Sequence, residues 1–557
     1  MCSHPVQVRN VLLASQSHEA VNNAAEAVMQ LFRQERDEPS IVRVGQEGAI
    51  SSDLRPFHSD RVEASFKDKF RAELRERLEQ VGARLGLGAE LITRLTFAET
   101  TIRPVVDRLQ HLTAASGDFA GRAEALCTTL ANLCGKVGVN TPESRDWSDD
   151  QWYRDVLEQI GRDYDVSPDR IARFLAVAKL SRDWLGSIST RQRSFESFLA
   201  GTRRIVAGTC VGLGRSSLGL TQNRFDLVVV DEAARCTASE LAVPMQSGRW
   251  IVLVGDQLQL EPHHRPDVVM AVERQAQIAK REILKSDFER VFKSKYGKAS
   301  GQTLLQQYRM LPAIGRVVSQ AFYNGQLSHA RGEPVIPPSV LPPIVSTPLV
   351  WVATDALGAE GFQRPAADSR SLVNESEVDA VMAILRDFDT HEPFHAWLQE
   401  QDRFQEPIGI ICTYAAQREF IRRRLPASGL TSRLRENCKV DTVDSYQGKQ
   451  NAIVILSLVR NNSEGTFARD AATIRPGFMD RPNRINVALS RAMDRLVIIG
   501  AMDRWMSGTP MHAVSAAFRV EQAAGNARVL NAAAMGAARS SAAEKHVPRR
   551  HTGRGRR

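Results

Sequence analysis

The sequence predicts an α/β protein built from two parallel-sheet lobes, with a helical insertion in the first. Three observations carry that expectation. Short apolar runs without alternation read as strands covered on both faces, the arrangement of a parallel sheet flanked by helices. These runs fall into two groups, separated by a proline-rich stretch from Pro334 to Pro348. Between about 50 and 200 the texture changes to long charged segments with helical periodicity.

Taken in order, Val11-Leu12-Leu13-Ala14 is the first apolar run. After Ser17, the residues Ala20, Val21, Ala24, Val28, Leu31 and Phe32 recur at helical spacing, so a strand and a helix open the first lobe. Ile41-Val42-Arg43-Val44 follows and ends at the turn residue Gly45. In the charged region Phe66, Phe70, Leu74, Leu78, Val81 and Leu85 mark one helix face, which reads as a packing stripe. Asp60 with Glu63 predicts the cap of that helix. Strands return at Ile205-Val206-Ala207, Leu227 to Val230 and Ile251 to Val254, then at Ile408 to Ile411, Ile453 to Leu456 and Leu496 to Ile499. The expected organisation is therefore 1–46 as the start of lobe one, 47–200 as the insertion, 201–300 as the rest of lobe one and 301–515 as lobe two. Residues 516–557 are expected to form a basic tail, disordered beyond about 535.

Composition narrows the function classes. The 557 residues are 43% hydrophobic and 25% charged, ordinary for a globular chain and unlike a disordered or collagenous one. No run approaches the roughly 18 apolar residues of a spanning helix. Seven scattered cysteines without a CxxC pair argue against a zinc knuckle or a disulfide framework and point to a reducing cytoplasm. Of the net charge of +9, most lies in the last 17 residues, where six basic side chains face only Glu544. Such a tail suits nucleic acid or another acidic surface, but charge alone does not choose between them.

The chemistry lies in motifs. Asp231-Glu232 ends a buried strand, placing two carboxylates at the carboxyl edge of a parallel sheet, where ligands bind. In a nucleotide hydrolase the first holds Mg²⁺ and the second polarises water; by itself the pair also reads as a solvent-facing strand end. Asp256 and Gln259 follow a second buried strand. Gln307-Tyr308-Arg309-Met310 adds a cation, and Asn486 to Ala492 adds another at Arg491.

In this order the blocks resemble the superfamily 1 helicases, specifically the 1B branch that includes the RNA-surveillance helicase. Ala14 to Asn22 resembles motif Ia and Gly208 to Gly214 motif Ic. Asp231 to Ala234 resembles motif II, Gly255 to Leu260 motif III and Gln307 to Met310 motif IV. Val440 to Gly448 resembles motif V and Arg484 to Ala492 motif VI. The resemblance covers about 10–45 and 200–505. It implies two RecA-like lobes of P-loop NTPase type, ATP and Mg²⁺ as cofactors, and translocation on single-stranded DNA or RNA, 5′ to 3′. By resemblance Asp231 holds the metal, Glu232 is the general base and Gln259 couples the γ-phosphate to the nucleic-acid side. Arg309 and Arg491 act as arginine fingers. Tyr308 packs on adenine, with Gln307, Gly448 and Gln450 in the nucleotide-binding set. Ser17, His18, Thr209 and Thr442 lie in blocks that touch the sugar-phosphate backbone.

Two departures stand out. No G-x-x-x-x-G-K-[ST] occurs: Gly297-Lys298 and Gly448-Lys449 have neither the preceding glycine loop nor a following hydroxyl. The expectation is either the later portion of a longer helicase, its P-loop supplied by an upstream polypeptide, or a degenerate helicase kept as a non-catalytic nucleic-acid-binding or scaffolding protein. The intact catalytic side chains favour the first. Such a chain is expected to hydrolyse ATP little by itself and to have a gap in the sheet of lobe one. The second departure is Gln450, where relatives place a ribose-bonding glutamate, which predicts looser nucleotide selectivity.

Overall fold

The computed structural model describes residues 8–36, 40–114, 120–138, 150–190, 200–215, 218–220, 222–367, 371–400, 407–446, 448–462, 474 and 477–535. The chain divides into two compact units, Met1–Asp231 with Glu240–Val252, and Glu232–Ser239 with Leu253–Arg557.

The first unit is built on strands β1 (Val11–Ser15), β2 (Ile41–Arg43), β3 (Ile205–Thr209), β4 (Phe225–Asp231) and β5 (Gly248–Leu253), in the spatial order β2-β3-β1-β4-β5. β1 runs parallel to both β3 and β4, and β2 parallel to β3. Helix α1 (His18–Gln34) lays Val21, Ala25 and Met29 against Leu13, Ile41 and Ile205, the amphipathic pattern read in the sequence. The register sets Ser15 beside Thr209 on one side and beside Asp231 on the other. The five strands are contiguous. The expected interior gap is not there; the open position is the margin, at β5.

Between β2 and β3 the chain leaves the sheet to form α2 (Ser59–Arg84), α3 (Ala89–Phe97), α4 (Arg103–Ala114), α5 (Ala120–Lys136), α6 (Asp150–Arg162) and α7 (Pro168–Thr190). These helices have their own core, including Leu91, Leu95, Ile102, Val106, Leu130 and Phe174. A single π turn, Ala98–Ile102, joins α3 to α4 and places Glu99 inside, where it accepts from the Tyr153 hydroxyl at 2.8 Å and pairs with Arg182 at 2.9 Å. On α2 the stripe packs into this core at Leu78, Val81 and Leu85, deepest at Leu78, whereas Phe66, Phe70 and Leu74 stay half-buried outside it. The expected Asp60 cap is corrected. α2 begins at Ser59, with His58 at the cap position and no side-chain cap bond. His58 is anchored instead by a bridge to Arg43 and by a 2.9 Å contact with the Gly45 carbonyl, and this fixes the entry upstream of Asp60.

The second unit contains a small parallel pair, β6 (Gln306–Gln307) and β7 (Ser328–His329), then β8 (Leu349–Ala353), a short ribbon of β9 (Arg364–Pro365) and β10 (Leu372–Val373), and β11 (Ile408–Cys412), β12 (Cys438–Thr442), β13 (Asn451–Ser457), β14 (Ala492–Gly500) and β15 (Ala527–Asn531). Six of these form one parallel sheet in the order β12-β11-β13-β14-β8-β15, with a hydrophobic cluster on each face. The expected tail from 516 is corrected here. The helix Pro510–Ala523 buries Val514 and Phe518, and β15 pairs with β8. The alanine-rich composition conceals this packing. Residues 536–557, the most basic part, lie outside the described residues. Among the described residues no helix is long and apolar enough to cross a membrane.

Candidate active site

At the carboxyl edge of the first sheet, Ser15, Thr209 and Asp231 end three adjacent strands. The Ser15 hydroxyl is buried with no hydrogen-bond partner. Ser17 caps α1, accepting from the Ala20 N–H at 3.2 Å, and Thr209 caps the short turn after β3, accepting from the Gly212 N–H at 3.1 Å. Arg43 is fully buried. It donates to Asn22 Oδ1 at 3.0 Å, to the Val44 carbonyl, and to His18 Nδ1 at 3.2 Å. A guanidinium can only donate, so His18 accepts through Nδ1 and carries its proton on Nε2. Burial, reinforced by Arg43, lowers the His18 pKa, and burial brings Arg43 down to about 10. Ser17, His18 and Thr209 thus all hold local structure at this edge.

In the second unit the turn after β5 is latched to the helix Pro482–Leu489. Asp256 accepts from the Leu258 N–H at 2.9 Å, from Gln259 Nε2 at 3.0 Å and from the Tyr323 hydroxyl. Asn483 donates to the carbonyls of Gln257 and Gln259, at 3.0 and 2.6 Å. Asn486 donates to the Leu258 carbonyl and to the Tyr323 hydroxyl, each at 2.8 Å. Gln259 Oε1 in turn accepts from Arg491 at 3.0 Å. These bonds explain why Leu253 onward groups with the second unit, where 201–300 had been expected to close lobe one. Asn483, Asn486 and Tyr323 are functional candidates that sequence reasoning missed. The available signal was two asparagines three apart, on one helix face.

Two cations converge in this unit. Arg309 donates to Gln450 Oε1 at 2.8 Å and to the Ser490 carbonyl at 3.2 Å. Arg491, 1% exposed, donates to the carbonyls of Val487 and Lys449 besides Gln259. Among the described residues neither guanidinium hydrogen-bonds a carboxylate. Burial, then the like charge of Arg309, brings Arg491 down to about 9, and burial lowers Arg309; Glu232 partly offsets both. Glu232 itself sits in the left-handed region at φ 53°, a strained backbone for a non-glycine residue.

Gln307 folds the turn that carries these groups. Its Oε1 accepts from the N–H groups of Arg309 and Met310, and its Nε2 donates to the Met310 carbonyl and faces His329 Nδ1. Its amide is thereby used within the turn. Tyr308 is 70% exposed and, with Asp256, Gln259, Arg309, Gln450 and Ser490, lines a cavity of about 520 Å³. Gly448, at φ 84°, turns the chain toward β13, and Thr442 donates to Ser445 at 3.3 Å; neither lines the cavity.

Two family models described as AAA domain match residues 3–264 and 283–503. A Neurospora crassa protein, "Regulator of nonsense transcripts 1 homolog", is 32% identical over 302 residues, covering 53% of this chain and 24% of that one. The chain belongs to the superfamily 1 DNA/RNA helicases. Its two parallel sheets are the RecA-like lobes of that superfamily. Among other helicase relatives, "ATP-dependent helicase NAM7" of Saccharomyces cerevisiae is 29% identical, over 55% of this chain and 28% of its own length. "DNA-binding protein SMUBP-2" of Mesocricetus auratus is 28% identical, over 50% and 25%. The helicase chain thus spans about a quarter of the length of these curated relatives.

Proposed function

We propose that this chain is the working part of an ATP-dependent translocase on single-stranded nucleic acid. The observation that supports this most is the pair Arg309, half-buried, and Arg491, buried, neither with a hydrogen-bonded carboxylate among the described residues and both held by neutral partners. Two partly desolvated cations, one of them lining a cavity, are a poised anion site, and charge developing on a transferring phosphoryl group is the anion they suit. Tyr308 offers an exposed aromatic face for adenine, with Gln450 and the Gly448 turn beside the nucleotide and Gln307 aiming Arg309. Gln259, bonded to both Asp256 and Arg491, would pass the state of the phosphate to the latched turn. Glu232 would orient and deprotonate the attacking water.

Mg²⁺ fits Asp231 as a cation that arrives with a triphosphate. Among the described residues there is no cluster of three ligating side chains, so no pre-built cage exists. Mg²⁺ commonly uses one or two carboxylates plus phosphate oxygens and water. The partnerless Ser15 hydroxyl in register with Asp231 leaves a spare oxygen there. When bound, the ion neutralises charge on the phosphate oxygens.

Single-stranded DNA or RNA would lie along the edges that carry Ser17, His18, Thr209 and Thr442, contacted mainly through backbone N–H groups at helix starts. Among the described residues no two cysteines are joined in a disulfide. The 557 residues hold no glycine-rich phosphate loop. The chain by itself therefore binds triphosphate weakly and turns it over slowly, and a further polypeptide segment supplies the loop. Steady-state ATPase with and without single-stranded RNA or DNA tests this. Slow turnover is expected. Fast turnover that Glu232→Gln abolishes would show that these residues suffice, and no effect of MgATP on nucleic-acid affinity would count against the translocase reading.

A further inference from the structure

Residues 415–441 hold seven basic side chains against three acidic ones. That surplus of four equals the whole net charge outside the last 17 residues, so elsewhere the chain is balanced. The fold gathers part of it at one margin. β12 is the outermost strand of the second sheet, flanked by the helix Ala415–Arg424 and the short turn Ser432–Glu436. Between them lies a cavity of about 570 Å³ whose lining includes Arg422, Arg435 and Lys439, with Ser432, Leu425 and Pro426. Arg424 and Arg433 are used elsewhere, on Asp379 at 2.5 Å and on the Leu398 carbonyl at 2.6 Å.

The lining guanidiniums are only partly satisfied. Arg435 reaches Ser432 Oγ at 3.0 Å, but its Nε is buried with no hydrogen-bond partner. Leaving such a donor unmet costs free energy that an arriving acceptor recovers. Arg422 spends Nε and Nη2 on the Val440 carbonyl, at 3.2 and 2.7 Å, and its Nη1 meets Glu419 only at 3.7 Å. Two carboxylates also line the cavity. Asp441 is already flanked by Arg418 at 3.6 Å and Lys449 at 3.9 Å, which leaves Glu436 as the counter-charge to three cations.

Three features select the occupant. An acidic peptide adding as a strand would need the outer carbonyls of β12, and that of Val440 is already taken by Arg422. Guanidinium forks suit phosphate oxygens, and Leu425 with Pro426 gives a sugar or base an apolar floor. β12 also runs from the cavity to Thr442, three residues beyond Lys439 and so about 10 Å away. A strand touching Thr442 reaches the cavity without leaving the lobe.

We infer that the β12 margin is a second phosphate site, where Arg422, Arg435 and Lys439 hold the backbone of a single strand continuing past Thr442. The inference rests on the nucleic-acid reading above and adds to it a site on the flank of the second sheet.

Cys438, which lines the same cavity, reports occupancy. Alkylation of the full 557-residue chain is followed cysteine by cysteine in mass spectra, with and without a single-stranded RNA of about 16 nucleotides. At about ten times Kd, labelling of Cys438 should slow about tenfold, while that of Cys127 in the helical insertion is unchanged. Arg435→Gln and Lys439→Gln should each weaken that protection and lower the slope of log K against log salt by about 0.7. Arg519→Gln, exposed on the helix Pro510–Ala523, should change neither. Lys439→Arg should behave as the native chain, which separates lost charge from lost folding. RNA that binds the chain yet leaves Cys438 labelling unchanged overturns the site and leaves the functional reading standing. Protection that survives both glutamine variants with an unchanged slope overturns it as well. Protection by adenosine monophosphate as strong as by RNA overturns it in favour of a free nucleotide. A chain that binds no single strand at any salt sinks the nucleic-acid reading and this inference together.

Discussion

Gln450 shows how one atom type sets the character of the cation site. Its neutral carbonyl accepts from Arg309 where a carboxylate would form an ion pair. Gln450→Glu should therefore tie Arg309 down, stabilising the free protein by about 0.5–1 kcal/mol while reducing the rise in melting temperature caused by pyrophosphate. Differential scanning of both proteins with and without the anion checks this, and an unchanged pyrophosphate shift would refute it. Glu377 is a second case. It is fully buried and accepts from Ser457 at 2.6 Å and from the Val459 N–H at 2.8 Å, bracing Val459 in the left-handed region at φ 67° together with Asn374. Burial pushes its carboxyl up to about 8. The folded state then keeps a proton that the unfolded chain releases above its ordinary value, so stability is full below that value and falls as pH rises toward 8. The slope is at most about 1.4 kcal/mol per pH unit. Urea midpoints between pH 5 and 8 should fall for the native chain and stay level for Glu377→Gln.

At the scale of elements, the turn Asp256 to Leu260 and the helix Pro482–Leu489 act as one piece. Asn486→Ala removes the donor to the Leu258 carbonyl and the Tyr323 hydroxyl, leaving buried acceptors short of a partner, at a cost of about 1–3 kcal/mol. Faster amide exchange across 256–260, with little change in α1, is the expected signature; equal loosening of both would indicate general destabilisation. The same elements show what the sequence makes legible. Strands such as Ile453 to Leu456 and Leu496 to Ile499 are covered on both faces, so an unbroken apolar run betrays them. Arg309 and Arg491 stand out because charge next to a buried run is conspicuous. β15 and the asparagine latch do not stand out. An alanine-rich helix packs by small side chains that mimic a tail, and an amide's role depends on which carbonyl the fold brings to it. Gln307 is the middle case, since its place in the motif was plain but its use within its own turn required coordinates.

Across the whole molecule, charge separates a translocase core from a tail-driven binder. Most of the +9 lies in the last 17 residues, while Ser17 and Thr209 cap helix starts without adding charge. Core contacts of that kind respond little to salt, whereas each phosphate neutralised on a single strand contributes about 0.7 to the slope of log K against log salt. Removing residues 536–557 deletes seven basic side chains and should lower that slope by at most about 5. Affinity should fall strongly at 50 mM salt and hardly at all at 300 mM, where both proteins should bind single-stranded RNA alike. Titrations by fluorescence anisotropy across that range decide the matter. If the shortened chain loses most of its affinity even at high salt, binding resides in the tail, and the sheet edges carry no strand.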